Sequence, residues 1–257
     1  MTASRPPAPD VPIHGDETAE EFLRGRFRIL QKKKGYRFSL DPVLLAAFVR
    51  VNSRDRVIDL GTGGGIVPLL LANRHVRGTI VGVEIQEPYA DMARRSVALN
   101  GLANRIEIRH GDVRDARMEF AAESFDVATC NPPFRPAGTG RVNPSDEKAL
   151  ARHEVAGTLA DFIAAARYLL RQDGRACFVF PAARLIDLLA GLREARLEPR
   201  RLRLVHPDAA SPANLALVEG VKGGKRGLAV DRPLVVFQAE GRYSAEVERM
   251  LESGTAS

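Results

Sequence analysis

The chain has 257 residues, room for one α/β domain with additions, and 45% of them are hydrophobic, enough for a proper core. Lys and Arg outnumber Asp and Glu by 38 to 32, a net charge of +6 that suits a polyanionic partner such as nucleic acid or simply a basic soluble enzyme. The two cysteines, Cys130 and Cys177, stand in apolar runs without CxxC spacing, which excludes a zinc site and a disulfide framework. No apolar stretch approaches the ~20 residues that cross a bilayer, so the expectation is a cytoplasmic protein without metal or membrane partner, with a monomer as the default.

From the N-terminus, residues 1–20 are rich in Pro, Ala and acids without periodicity and read as a mobile tail. Residues 21–53 read as a separate segment ahead of the alternating pattern. From Arg54 onward the pattern alternates. "RVIDL" (56–60) reads as a buried strand, followed by glycines and the helical "IVPLLLANR". "GTIVGVEI" (78–85) is the second strand, and "EPYADMARRSVALNG" a helix closed by Asn100-Gly101.

"RIEIRHGD" (105–112) and "FDVATC" (125–130) are the third and fourth strands. A helix over 159–170, a fifth strand "RACFVF" (175–180) and the amphipathic "AARLIDLLAGLREA" come next. The remaining apolar runs are "RRLRLVH", "NLALVEGV" and "LVVFQ", with a short terminal helix beyond. Strands separated by helices predict a doubly wound, mostly parallel sheet. The last two runs, close together across "KGGKRG", predict an antiparallel C-terminal hairpin edge.

"DLGTGGG" (59–65) joins the first strand to the first helix. Glycines there let the backbone turn sharply and approach a ligand. Their positions, 61, 63, 64 and 65 with Ile66 in the sixth place, break the G-x-G-x-x-G dinucleotide pattern, and the Gly-Lys-Ser/Thr of a phosphate loop is missing. Glu84, at the end of the second strand, is placed to accept from two ribose hydroxyls. Asp112, at the tip of the third, either accepts from an adenine amine or caps the turn "VRDA". Together they describe a pocket for an adenosine without pyrophosphate; a nicotinamide site with a degenerate loop is the competing reading.

The fourth strand runs into Asn131-Pro132-Pro133-Phe134. In isolation this is a turn. After the glycine loop, Glu84 and Asp112, the series resembles the class I S-adenosylmethionine-dependent methyltransferases, and NPPF narrows the resemblance to enzymes methylating adenine N6, cytosine N4 or glutamine amides. An aromatic or amide amine is a poor nucleophile because its lone pair is delocalised. Two acceptors on its N–H groups, the Asn131 oxygen and the Pro132 carbonyl, would localise it, and Phe134 would stack on the base.

"RILQKKKGYRFSLDPVLLAAFV" (28–49), "ARHE" (151–154) and "HPDAASPANLALVEGVKGGKRGL" (206–228) extend the resemblance to the bacterial tRNA1(Val) adenine-37-N6 methyltransferases over roughly residues 27–249. It implies a seven-stranded Rossmann-like methyltransferase domain over 54–257, with S-adenosylmethionine as cofactor and tRNA as partner. Carried over, Phe38, Ser39, Asp41, Asp59, Gly61, Gly63, Gly65, Glu84, Ile85, Asp112, Val113 and Asn131 would hold the cofactor. Asn131, Pro132, Pro133 and Phe134 would be catalytic.

The basic segments supply RNA contacts in this reading: Lys32, Lys33, Lys34 and Arg37 around Tyr36, and Lys222, Lys225 and Arg226 on "KGGKRG". For each, a solvated charged turn is the plainer alternative. His153 and Glu154 hold a partner near the site or cap a helix. The same chemistry on ribosomal RNA or a protein glutamine, a cofactor-dependent RNA-binding protein without turnover, and a nicotinamide oxidoreductase are the competing functions. The intact NPPF counts against the binding protein without turnover, and Ile66 against the oxidoreductase.

Overall fold

The computed structural model describes residues 11–34, 39–74, 76–132, 157–238 and 241–255. A nine-stranded sheet is built on seven main strands: β3 (Val57–Leu60), β4 (Ile80–Glu84), β5 (Ile106–His110), β6 (Phe125–Cys130), β7 (Leu170–Pro181), β8 (Leu197–His206) and β9 (Leu215–Lys222). They lie in the order β5-β4-β3-β6-β7-β9-β8, and the first five are mutually parallel. Every residue of β3, β4 and β6 is buried, as expected of parallel strands covered on both faces.

Helices α1 (Asp41–Phe48), α2 (Ile66–Asn73), α3 (Glu87–Leu99) and α7 (Ala245–Ser253) share one apolar core with one face of the sheet. The short α4 (Ala116–Glu119), with α5 (Leu159–Leu169) and α6 (Leu185–Glu194), closes the other. Alternate strand residues feed the two cores: Val57, Ile80 and Val127 the first, Ile58, Val81 and Ala128 the second. Helix ends follow their local chemistry. Thr158 and Asp161 form a reciprocal capping box before α5, and Gly101 takes φ +67° just past α3.

The antiparallel hairpin at the sheet edge exists, but its partners differ from the expected pair. β8 pairs antiparallel with β9 across residues 207–214, and β9 pairs antiparallel with β7. The "LVVFQ" run contributes only the two-residue β11 (Leu234–Val235), which with β10 (Ala229–Val230) lies parallel on β8. Ten residues of "LEPRRLRLVH" bury alternate side chains and supply a full partner for β9, which the shorter run cannot match. The chain after Lys222 is therefore a crossing loop and not a hairpin tip.

The tail expected through residue 20 gives way earlier, because β1 (Glu17–Phe22) pairs antiparallel with β2 (Phe27–Lys32). This hairpin is fastened to α3. Asn100 takes the Arg28 amide at 3.0 Å and donates to the Arg28 carbonyl at 2.6 Å, imitating a neighbouring strand, and the Leu30 amide donates to Ser96 Oγ at 3.0 Å. The buried Glu17 carboxylate receives Arg95 through both oxygens, at 2.7 and 2.8 Å, with Lys32 at 3.2 Å.

Arg95 holds the Glu17 carboxyl at about 2, below its usual 4.5. A depressed acid stabilises the fold above the unfolded value and loses that contribution as pH falls from 4.5 toward 2. The shift corresponds to about 3 kcal/mol. Glu17→Gln should therefore lower unfolding stability by about that amount at pH 7, with the gap to the parent closing on acidification in urea titrations.

Candidate active site

The sheet order reverses between β3 and β6. From β3 the chain moves outward through β4 to β5, then returns to the other side of β3 as β6. In an open α/β sheet the crevice beyond the carboxyl ends at such a point is where ligands bind. The sequence motifs converge there. Leu60 stands opposite Cys130, so the glycine loop after β3 and Asn131 after β6 leave the sheet side by side. Leu60 also stands opposite Val83, which brings Glu84 to the other flank of the loop. Glu84 in turn pairs with His110, two residues before Asp112.

The loop is held by backbone bonds. The amides of Gly61 and Thr62 both donate to the Val83 carbonyl at 2.9 Å. Glu84 accepts the Gly63 amide at 2.9 Å on one carboxylate oxygen and the Gln86 amide at 2.9 Å on the other. Gly61 takes φ +72°, and a Cβ there would stand 3.1 Å from the Phe162 ring of α5. Both the turn and the crowding require glycine at this place. A second wall comes from the N-terminal hairpin, whose Leu30 carbonyl lies 3.9 Å from where a Cβ on Gly64 would be.

Two buried carboxylates stand behind the loop. Asp59 accepts from the Thr129 hydroxyl at 2.6 Å, and burial pushes its carboxyl up to about 6 against that bond, with Glu84 adding to the rise. Burial likewise raises Glu84. Buried acids beside a glycine loop repel the phosphates of a dinucleotide and favour a ligand that brings hydroxyl donors and positive charge. S-adenosylmethionine has both, through its ribose and through its sulfonium and ammonium groups. The residues present fit it.

Asp112 follows the turn reading: it caps the 3-10 turn Val113–Asp115 through the Arg114 amide at 2.9 Å and is ion-paired to the Arg114 side chain. Val113 beneath it is buried, and the Ile85 carbonyl is bonded to His110. Arg74, just past α2 at the far edge of the sheet, donates to the Ala46 carbonyl and, at 2.7 Å, to that of Val49, and Arg201 reaches that of Phe48. These bonds fix the α1 C-terminus; at the start of the helix Ser39 is exposed and Asp41 part-buried.

The expected RNA contacts divide. Lys33 and Lys34 are exposed at the end of β2, Lys33 donating to the Gly15 carbonyl at 2.8 Å, while Lys32 is drawn into ion pairs with Asp16 and Glu17. Lys222 is not a surface contact. It is 3% exposed, and its ammonium serves the Leu170 carbonyl at 2.6 Å and Glu123 at 2.9 Å. Lys225 and Arg226 are exposed, but β9 runs antiparallel to β7 and carries them to the edge opposite Asn131. The reversed direction of β9, which the sequence pattern did not disclose, removes this trio from the site. Phe38, Tyr36, Arg37, Pro133, Phe134, His153 and Glu154 lie outside the described residues. Thr129, Phe162 and the Leu30 carbonyl line or brace the site without any motif to announce them.

Residues 40–185 match the methyltransferase small domain model. A Porphyromonas gingivalis protein named tRNA1(Val) (adenine(37)-N6)-methyltransferase is 31% identical over 88% of this chain and 91% of its own length. One of the same name from Aeromonas salmonicida is 30% identical over 87% and 92%. Among solved structures, a predicted O-methyltransferase from Agrobacterium tumefaciens superposes with a TM-score of 0.67 at 22% identity, over 84% of this chain and 98% of that one. A Thermotoga maritima O-methyltransferase reaches 0.51 at 19% identity, over 76% and 69%. At these identities the two structures speak for the fold. With a family model over more than half of its length and relatives of this similarity over most of both chains, the protein belongs to the methyltransferase small-domain family.

Proposed function

We propose that the protein transfers a methyl group from S-adenosylmethionine to the N6 amine of an adenosine in tRNA, adenosine 37 of a valine tRNA as in the names of its relatives. The observation that carries this reading is the neighbouring exit of the glycine loop and Asn131 at the strand-order reversal. Bound there, the cofactor supplies an electrophilic methyl on sulfur. Glu84 takes the ribose hydroxyls while its bonds to Gly63 and Gln86 hold the loop in shape. Asp59 keeps the strand end fixed through Thr129 and offers negative charge to the cationic end of the donor.

Asn131 accepts one N–H of the target amine through its side-chain oxygen, and the Pro132 carbonyl accepts the other. Two fixed acceptors draw the nitrogen toward tetrahedral geometry, so that its lone pair points at the methyl group. No strong base is required, since the nitrogen becomes acidic on methylation. The stacking partner read from the sequence is Phe134, and a paired base would have to leave its helix to reach the site.

Lys33 and Lys34 extend from the hairpin that walls the glycine loop and meet the RNA backbone. Replacing Lys32, Lys33 and Lys34 together by Ala should raise the Michaelis constant for tRNA and flatten its salt dependence, with roughly 0.9 or less lost from the log–log slope per phosphate contact. The deeper Lys32 contributes least. The reading itself is tested with methyl-labelled S-adenosylmethionine and unmodified bulk tRNA, followed by nucleoside analysis. Label in N6-methyladenosine supports it; label in a protein glutamine and in no nucleoside overturns it.

A further inference from the structure

The sheet edge that carries Asn131 also carries an aromatic pair with no part in the chemistry above. β8 runs parallel to β6 through the two antiparallel steps at β9, so its carboxyl end opens on the same edge. β11 continues alongside it: the Val236 amide donates to the His206 carbonyl at 2.8 Å, and the Phe237 amide to that of Pro207 at 2.8 Å. The chain then turns back through Arg242, whose carbonyl accepts the Gln238 amide, and Tyr243 pairs with Phe237. The two rings stack with centroids 5.1 Å apart and planes 17° from parallel.

Each of the two residues is 38% exposed. The turn is not needed to close the core, which Val236, Val247 and Met250 complete on either side of it. Its surroundings suit a polyanion. Arg232 is exposed beside it, and two of the described acids near it are engaged within the protein: Glu246 with Arg203 at 2.7 Å, and Asp208 with the amides of Ala210 and Ser211. The loop after β8 is held firm by these bonds and by His206, whose ring contacts the Ser211 carbonyl at 2.9 Å.

From these observations we infer that Phe237 and Tyr243 form a platform on which an unpaired base of the RNA stacks, away from the methylated adenosine. The inference rests on the tRNA reading. Four strand steps separate β6 from β11, whose continuation carries Phe237, about 19 Å at ~4.8 Å each. That is about five to six nucleotides at stacked spacing of ~3.4 Å, and fewer in an extended strand. A flat aromatic surface accepts any base, and Arg232 holds the backbone, so the contact sets the register of the loop on the enzyme without reading its sequence.

The chain contains no tryptophan, so a single substitution gives a clean reporter. Tyr243→Trp keeps an aromatic face on the platform, and its emission should fall saturably on titration with an unmodified tRNA transcript, at the concentrations where filter binding saturates. Phe237→Ala with Tyr243→Ala should raise the Michaelis constant for tRNA about tenfold, with the turnover number and the affinity for S-adenosylmethionine unchanged. Unchanged indole emission from the Tyr243→Trp variant while tRNA is bound and methylated would overturn the platform and leave the function standing. Emission that follows protein concentration instead of tRNA would show a face between two copies, and would also overturn it. Absence of any tRNA binding or methylation would remove the function and the platform together.

Discussion

Asn131→Ala is expected to cut methyl transfer by about 10²–10³-fold while S-adenosylmethionine still binds with nearly its normal affinity. The side chain leaves the sheet beside Gly61, where it can act on the amine of a substrate without supporting the glycine loop. Its bond to the amine strengthens as the nitrogen becomes tetrahedral, so the loss should fall on the turnover number and not on the Michaelis constant. Asn131→Asp is the sharper companion. It keeps an acceptor of similar size but adds charge next to the buried Asp59 and Glu84, and should also be severely impaired. Single-turnover methylation together with calorimetric cofactor titration separates the two quantities.

Glu84→Ala is expected to act at the opposite point of the cycle, weakening S-adenosylmethionine by about a hundredfold. Two effects add. The carboxylate that accepts the ribose hydroxyls is lost, and the part-buried amides of Gly63 and Gln86 lose their acceptor. Glu84→Gln retains one acceptor oxygen and should recover part of the affinity. Calorimetry on the purified protein checks both variants, and saturating cofactor should restore much of the rate of Glu84→Ala. A variant that bound cofactor normally but did not turn over would place Glu84 in the chemistry instead.

The sheet was legible because its central strands are uninterrupted apolar runs, such as Val57–Leu60 and Phe125–Cys130, ended by glycine, acid or Asn-Pro signals at the side where ligands bind. The cofactor loop was legible for the same reason: positive φ at Gly61, Gly63 and Gly65 is what the glycine spacing requires. Direction at the C-terminal edge was not. An apolar run such as "LALVEGVK" has the same pattern whether it runs up or down the sheet, and only its pairing with β7 and β8 shows that Lys222, Lys225 and Arg226 lie away from Asn131.

Burial of charge was also invisible to composition. Lys222 and Glu17 lie in stretches that read as polar, yet each is buried by partners far along the chain, Leu170 and Arg95. Charged residues reach the interior only when tertiary partners satisfy them, and those partners have no local signature. Asp112 shows the reverse case. The plain reading of a turn cap was available in the sequence, and the Arg114 bonds agree with it.

The most direct measurement of the central claim is methylation of an unmodified valine tRNA transcript beside one in which adenosine 37 is replaced by guanosine, each digested and analysed for N6-methyladenosine. The account predicts one methyl group per native transcript and none on the substituted one. Equal N6-methyladenosine in both would contradict the assigned position, and absence of the modified nucleoside from either would contradict tRNA as the acceptor.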